Sequence, residues 1–377
     1  MKIAWIVPGG VDESGVVRVI PALLWQIERL AARHELHVFA LRQHTAPREY
    51  RLLGATVHSL AAAGAPSAWL LLERALHARG PFDVVHAFWA GLPGLLGGVA
   101  GWRRRWPVLV TVAGGELAAC PEIGYGGQLR WRHRAVVAAS LRLATRTTVA
   151  TMFINAQLVQ RGSANLRMEK RDTGSRPAAD LVPLGVPGDL FTPPPEPPSR
   201  PWRLLHVGSL NRVKDQRTLL DALAIIVRHE PEVRLDIIGE DTLGGEIARE
   251  AETRQLKPFV RFRGWWPSVA LPAWYRRAHL LIVSSRHESG PVAALEAAAC
   301  GTPTVGTRVG HVADWTPALA SAVPVGDAGA LSAAVLDLLR EEPRRHRMAA
   351  AARAFALKHD ADWTAAQFDR LYHEVVR

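Results

Sequence analysis

Arg286-His287-Glu288-Ser289-Gly290-Pro291-Val292-Ala293-Ala294-Leu295-Glu296 sets two carboxylates, Glu288 and Glu296, on either side of what reads as a loop-to-helix junction. Pro291 suits a first helical position, where a missing N–H costs nothing. The Ala-rich run 292–300 propagates a helix, and Gly301 stops it. The free amides near Val292 and Ala293 then point out of the helix start. With the positive end of the helix dipole behind them they form a seat for a diphosphate. Glu296 follows five residues after Pro291, about 7.5 Å along the axis. Its side chain leans back toward the start, within reach of a ribose attached to that diphosphate. The competing reading of the spacing alone is a solvated loop acid and a helix-surface acid.

Around this segment, short apolar runs alternate with helical patterns. Residues 3–7, 36–41, 84–88, 108–112 and 148–154 read as strands in the first half; 204–207, 235–238, 260–262, 280–283 and 304–305 do so in the second. Such alternation predicts an α/β chain with parallel sheets. With 377 residues the chain exceeds what one core supports. The expected division is 1–187 as a first domain, 188–201 as a Pro-rich linker, 202–358 as a second domain and 359–377 as a terminal helix. The charged stretch 168–179 reads as an exposed loop. Two such sheets are expected to face a shared central cleft, where ligands bind in folds of this kind.

Only Cys120 and Cys300 are present, so no disulfide framework or cysteine metal cluster is available, and a reducing compartment, the cytoplasm, is expected. The N-terminal apolar run is too short for a secretory signal. The charge-free run 84–102 is broken by Pro93 and five glycines, and reads as strand, loop and helix rather than a membrane span. Net charge is +11, of which residues 1–199 carry +8. Trp102-Arg103-Arg104-Arg105-Trp106 and Arg130-Trp131-Arg132-His133-Arg134 mix basic and aromatic side chains, suiting anionic headgroups or nucleic acid, or else an ordinary solvated face.

The first strand runs into Pro8-Gly9-Gly10-Val11-Asp12-Glu13-Ser14-Gly15, then into a helix with Pro21 in its first turn and an apolar face of Leu23, Leu24, Ile27 and Leu30. Glycines there let backbone approach a phosphate or sugar. The spacing is wrong for a dinucleotide fingerprint, and Arg42-Gln43 follows the next strand where an NAD site needs an acid. The second domain opens with a strand and then Gly208-Ser209-Leu210-Asn211-Arg212-Val213-Lys214. Lys214 reads either as a diphosphate counter-ion or as an exposed loop lysine.

Taken together, Gly9 to Gly15, Asp83-Val84-Val85-His86, Val182-Pro183-Leu184-Gly185-Val186, Gly208 to Lys214, and Glu288 to Glu296 followed by Gly301-Thr302-Pro303 resemble the family 4 retaining glycosyltransferases of the GT-B fold, over nearly the whole chain. The resemblance implies two Rossmann-like domains, the first for the acceptor and the second for a nucleotide-diphosphate sugar. It also implies that the terminal helix packs back toward the first domain, and transfer that retains anomeric configuration without metal or cofactor. Catalytic roles would fall to Lys214, neutralising the leaving diphosphate, and to Glu288, bonding donor-sugar hydroxyls. Gly10, Gly15, Ser209, Arg212, Lys214, Ser289, Gly290, Pro291, Val292 and Glu296 would surround the donor.

This chain departs from the family at Ser209, where Arg is frequent, at Ala113, where His is common, and at Leu184, where Asn is frequent. Alanine makes no side-chain hydrogen bond. Glu116 is left either to meet the acceptor or to cap its own loop, and His86 is either an acceptor-side group or a core histidine. Expected partners are a nucleotide sugar, a carbohydrate or lipid-linked acceptor and peripheral contact with the anionic inner face of a membrane; nucleic acid is not expected. The alternative is a catalytically lapsed GT-B protein that binds nucleotide sugars or acts as a scaffold.

Overall fold

The first apolar run becomes β1 (Lys2–Val7), buried from Ile3 onward, at the middle of a sheet in the computed structural model, which describes residues 1–161 and 179–377. Burial on both faces is why the run does not alternate. The elements that follow are α1 (Pro21–Ala31), β2 (Glu35–Ala40), β3 (Arg48–Leu52), β4 (Ala55–Ser59), α2 (Ala65–Arg79), β5 (Val84–Phe88), α3 (Leu92–Arg104), β6 (Val108–Val112), α4 (Trp131–Leu143), β7 (Arg146–Val149), α5 (Met152–Gln160) and β8 (Asp180–Leu181). The sheet order is β3-β4-β2-β1-β5-β6-β7-β8, parallel except for β3 against β4. Leu23, Ile27 and Leu30 of α1 are buried on it, as their spacing predicts.

The strand expected at 148–154 stops at Val149 instead. Thr151 Oγ1 accepts from the Ile154 amide at 3.3 Å, and this N-cap starts α5, so Ile154 is helical. The β3–β4 hairpin was not expected, because Arg48-Glu49-Tyr50-Arg51 carries no apolar run. Of the loop expected at 168–179, all but Ala179 lies outside the described residues.

The second series runs β9 (Arg203–Val207), α6 (Gln216–His229), β10 (Arg234–Ile238), α7 (Glu246–Thr253), β11 (Val260–Phe262), α8 (Pro272–Tyr275), β12 (Leu280–Val283), α9 (Val292–Ala299), β13 (Thr304–Thr307), α10 (Gly310–Trp315), β14 (Ala320–Val323), α11 (Ala328–Arg340) and α12 (Glu342–Lys358). Its sheet is parallel throughout, in the order β11-β10-β9-β12-β13-β14. β14 is the strand the sequence did not announce, its Ala320-Ser321-Ala322 being too small to read as an apolar run.

Two compact units result: Met1–Leu184 with Ala361–Arg377, and Gly185–Asp360. The Pro-rich stretch belongs to the second unit rather than standing free. Phe191 is fully buried there, its ring 6.2 Å from that of Tyr275, and Arg276 Nε donates to the Thr192 carbonyl at 2.8 Å. The terminal helix α13 (Ala361–Val376) belongs to the first unit. It buries Phe368, Leu371 and Tyr372 completely, each such burial contributing about 1.5–3 kcal/mol. Tyr372 Oη accepts from Trp5 Nε1 at 3.0 Å and is hydrogen-bonded to His86 Nδ1 at 2.7 Å, and His86 Nε2 is hydrogen-bonded to Thr111 Oγ1 at 2.7 Å.

Candidate functional site

In the second unit, the carboxyl ends of β9 and β12 and the start of α9 enclose a pocket of about 340 Å³. It is lined by Lys214, Glu288, Gly290, Pro291, Val292, Ala293 and Glu296, with His206, Val207, Gly208, Ile282, Val283 and Ser285. Pro291 is extended (ψ 111°) and caps α9 rather than opening it, so the helix begins one residue later than the sequence suggests. Val292 and Ala293 are therefore its first two residues, and their amides have no carbonyl one turn back to bond. Gly310, in a left-handed conformation (φ +47°), allows the close approach: a Cβ there would lie 2.8 Å from Pro291 Cδ and 3.1 Å from the Glu288 carbonyl oxygen.

Lys214 Nζ and Glu288 Oε1 are 2.5 Å apart, and Ser285 Oγ donates to the same oxygen at 2.6 Å. The two side chains come from loops that are stitched together. Arg286 N donates to the Val213 carbonyl at 2.8 Å, Ser284 Oγ to the Lys214 carbonyl at 2.8 Å, and Arg286 Nε pairs with Asp215 at 3.0 Å. Asp215 also caps α6 through the Thr218 amide at 3.3 Å. Lys214 is thus held over the pocket rather than waving in solvent.

Glu296 is 4 % exposed, and Oε2 accepts from Tyr275 Oη at 2.5 Å. Burial pushes its carboxyl up to about 7, against the opposing effect of the tyrosine bond. Burial likewise drives the Tyr275 hydroxyl well above its ordinary value, with the nearby carboxylate adding to the shift, so Tyr275 stays a donor. Beneath the pocket His206 donates from Nδ1 to the Ile282 carbonyl at 3.0 Å and accepts at Nε2 from Gln216 Nε2 at 3.1 Å. Burial lowers it to about 4, so it is a neutral spacer with a fixed tautomer. Among the described residues no group of three His, Cys, Asp or Glu side chains is placed to hold a metal ion.

The sequence-derived residues distribute unevenly. Lys214, Glu288, Gly290, Pro291, Val292 and Glu296 converge. Ser209 and Ser289 sit on the same loops without lining the pocket, and Arg212 is exposed. Gly10 and Gly15 belong to the first unit, both at positive φ (+82° and +65°); the Gly10 amide is taken by Gln43 Oε1 at 2.7 Å and the Gly15 amide by the Asp12 carbonyl at 3.0 Å. Two expectations are corrected. His86 is fully buried in the hydrogen-bonded core network, which leaves no face for an acceptor. Glu116 caps its own loop, its oxygens accepting from the amides of Ala90 (3.0 Å), Ala113 (3.3 Å) and Gly114 (2.7 Å). Sequence reading missed Tyr275, Ser285 and the Asp215–Arg286 pair. His206, a polar residue inside an apolar strand, was the one visible signal.

Residues 191–355 match the family described as glycosyl transferases group 1, and residues 19–169 match a glycosyl transferase 4-like domain. A D-inositol 3-phosphate glycosyltransferase of Catenulispora acidiphila is 30% identical over 325 residues, covering 78% of this chain and 72% of that one. One of the same name from Thermomonospora curvata is 33% identical over 185 residues, 45% of this chain, and the match spans only 39% of that relative's length. Among solved structures, sucrose-phosphate synthase from Thermosynechococcus elongatus superposes with a TM-score of 0.78 at 21% identity, covering 99% of both chains. Anabaena HepE, in a complex with UDP-glucose, does so with a TM-score of 0.74 at 16% identity, covering 99% of this chain and 100% of that one. The fold is GT-B.

Proposed function

The chain belongs to the glycosyl transferases group 1, and from that premise we propose that it moves a sugar from a nucleotide-diphosphate sugar to an acceptor hydroxyl, with retention of anomeric configuration and without a metal ion. The observation that carries the reading is the pocket holding Lys214, Glu288, Glu296 and the start of α9 together. A diphosphate seated on the Val292 and Ala293 amides meets Lys214 as counter-charge, Glu296 turns toward the ribose, and Glu288 toward the sugar hydroxyls.

In the reaction the bond from the anomeric carbon to the diphosphate oxygen breaks as the acceptor oxygen attacks the same face. The acceptor proton passes to the departing phosphate, giving a glycoside and a nucleoside diphosphate. The protein supplies charge where charge develops: Lys214 and the helix start stabilise the leaving diphosphate. Glu288, held by Lys214 and Ser285, positions the sugar rather than attacking it. Glu296, the other carboxylate of the pocket, is held by Tyr275.

Exposed Trp102 and Trp131 on basic helices, with the Arg132 guanidinium 5.5 Å from the Trp131 ring centre, support peripheral contact with an anionic membrane on the cytoplasmic side. No helix of the described residues is long and apolar enough to cross one. Liposome co-sedimentation tests this contact; equal binding to neutral vesicles counts against it.

The test of the function is incubation with a panel of nucleotide sugars and candidate acceptors, following released nucleoside diphosphate. UDP-sugars come first because HepE is solved with UDP-glucose. Affinity without release from any donor would favour the lapsed, scaffolding alternative.

A further inference from the structure

At the opposite end of β9 from the donor pocket lies a second cavity, of about 140 Å³, lined by Arg203, Leu204, Leu205, Asp236, Arg263, Trp274, Arg277 and Ala278. Arg203 opens β9, whereas Val207 and Gly208 at its other end line the donor pocket. Four residues of strand put about 13 Å between them.

The charges in this cavity do not balance. Arg263 Nε pairs with Asp236 at 2.6 Å, and its guanidinium lies 5.0 Å from the Trp274 ring centre. Asp236 is the only acid in the lining, so it and the indole fix one arginine against the wall. Arg203 and Arg277 have no ion-pair partner among the described residues; Arg203 meets His279 through its backbone, the amide donating to Nδ1 at 3.0 Å and the carbonyl accepting from the His279 amide at 2.8 Å. Arg276, next in sequence, turns away to Thr192. Three guanidiniums against one carboxylate leave two uncompensated positive charges around a small polar cavity floored by Leu204, Leu205 and Ala278.

We propose that this cavity is an oxyanion site, taking a phosphate group, free or as the terminal ester of a small molecule, between Arg203 and Arg277. Guanidinium forks match tetrahedral oxyanions in shape and charge, and bonds to an ionised partner are the strong ones. The volume admits a phosphate and little more, and the Arg263 guanidinium already lies over the Trp274 ring, where a nucleotide base would have to stack. The site does not depend on the donor chemistry of the other pocket.

Calorimetric titration of the full chain with inorganic phosphate, and in a second arm with glycerol phosphate, tests the assignment. Arg203→Gln and Arg277→Gln should each weaken binding by about tenfold or more, while Arg261→Gln, an exposed arginine outside the lining, should leave phosphate affinity within about twofold. Arg277 is exposed, so its variant folds. Binding of inorganic phosphate alone assigns a free ion, and binding of both probes assigns a monoester. The proposal is overturned if the wild-type chain takes up neither probe at millimolar concentration, or if both arginine variants retain the wild-type affinity.

Discussion

Replacing Glu296 by Gln should stabilise the protein at neutral pH while weakening donor binding. Folding lifts this carboxyl from 4.5 to about 7, chiefly by burial. A carboxyl raised by folding contributes stability that is fully present below its unfolded value and is lost as pH rises through its folded one. Between about pH 4.5 and 7 the native state keeps a proton that the unfolded chain has released, and unfolding becomes easier with each step upward. At 1.36 kcal/mol per unit the loss across that window is roughly 3 kcal/mol. The amide of Glu296→Gln fits the same space and still accepts from Tyr275, but it does not ionise. Buried His206, His279 and His311, all lowered by desolvation to about 4, 4 and 3, titrate with the opposite sign and gain stability over part of the same range. The difference between wild type and variant isolates Glu296 from them. Urea denaturation at pH 5, 6, 7 and 8 should show the variant gaining on wild type progressively to pH 7, then running parallel. A gap that stays constant across this range would refute the burial argument. Calorimetry should show weaker UDP affinity for the variant, because an amide cannot match a carboxylate as acceptor for ribose hydroxyls.

Lys214→Ala should lower turnover by about a hundredfold or more, measured as nucleoside diphosphate release, since it removes preorganised charge from the leaving group. It also leaves the half-buried Glu288 with Ser285 as its remaining partner. Tyr372→Phe strips the hydroxyl that accepts from Trp5 and is hydrogen-bonded to His86, and should cost ~2–4 kcal/mol in urea denaturation with nucleotide affinity unchanged. Gly310→Ala forces a Cβ against Pro291 and Glu288, and should destabilise by ~1–3 kcal/mol and weaken UDP binding in calorimetry.

The β/α alternation was legible because buried parallel strands such as Val84–Phe88 and Leu280–Val283 are apolar on both faces and declare themselves without context. Strands made of charged or small residues, β3 and β14, did not, since their pairing is fixed by neighbours remote in sequence. The donor pocket was legible where chemistry is local: Gly290, Pro291 and Glu296 lie on one turn and the helix after it. Lys214 was a candidate from its own loop, but its pairing with Glu288, 74 residues away, needed the fold, because only the β9 and β12 loops lying side by side bring the two together. Tyr275 gave no signal at all, being a tyrosine in a four-residue helix whose role exists only through Glu296. His86 and Glu116 show the converse. Their types and strand-end positions suit a reactive group, and only burial and hydrogen-bond partners reveal a core histidine and a capping acid.

The helix α13 has a consequence for how the protein is made. Trp5 and Tyr372, hydrogen-bonded in the finished first unit, are 367 residues apart in the chain. A ribosome therefore releases β1, α1 and β5 long before the helix that packs on them, and residues 185–360 are available to fold first. Until residues 361–377 emerge, the ground that α13 covers, including Trp5 and His86, stays open to solvent and to chaperones. Shortening the chain by that one helix would strike the amino-terminal half of the molecule rather than the part it is joined to in sequence.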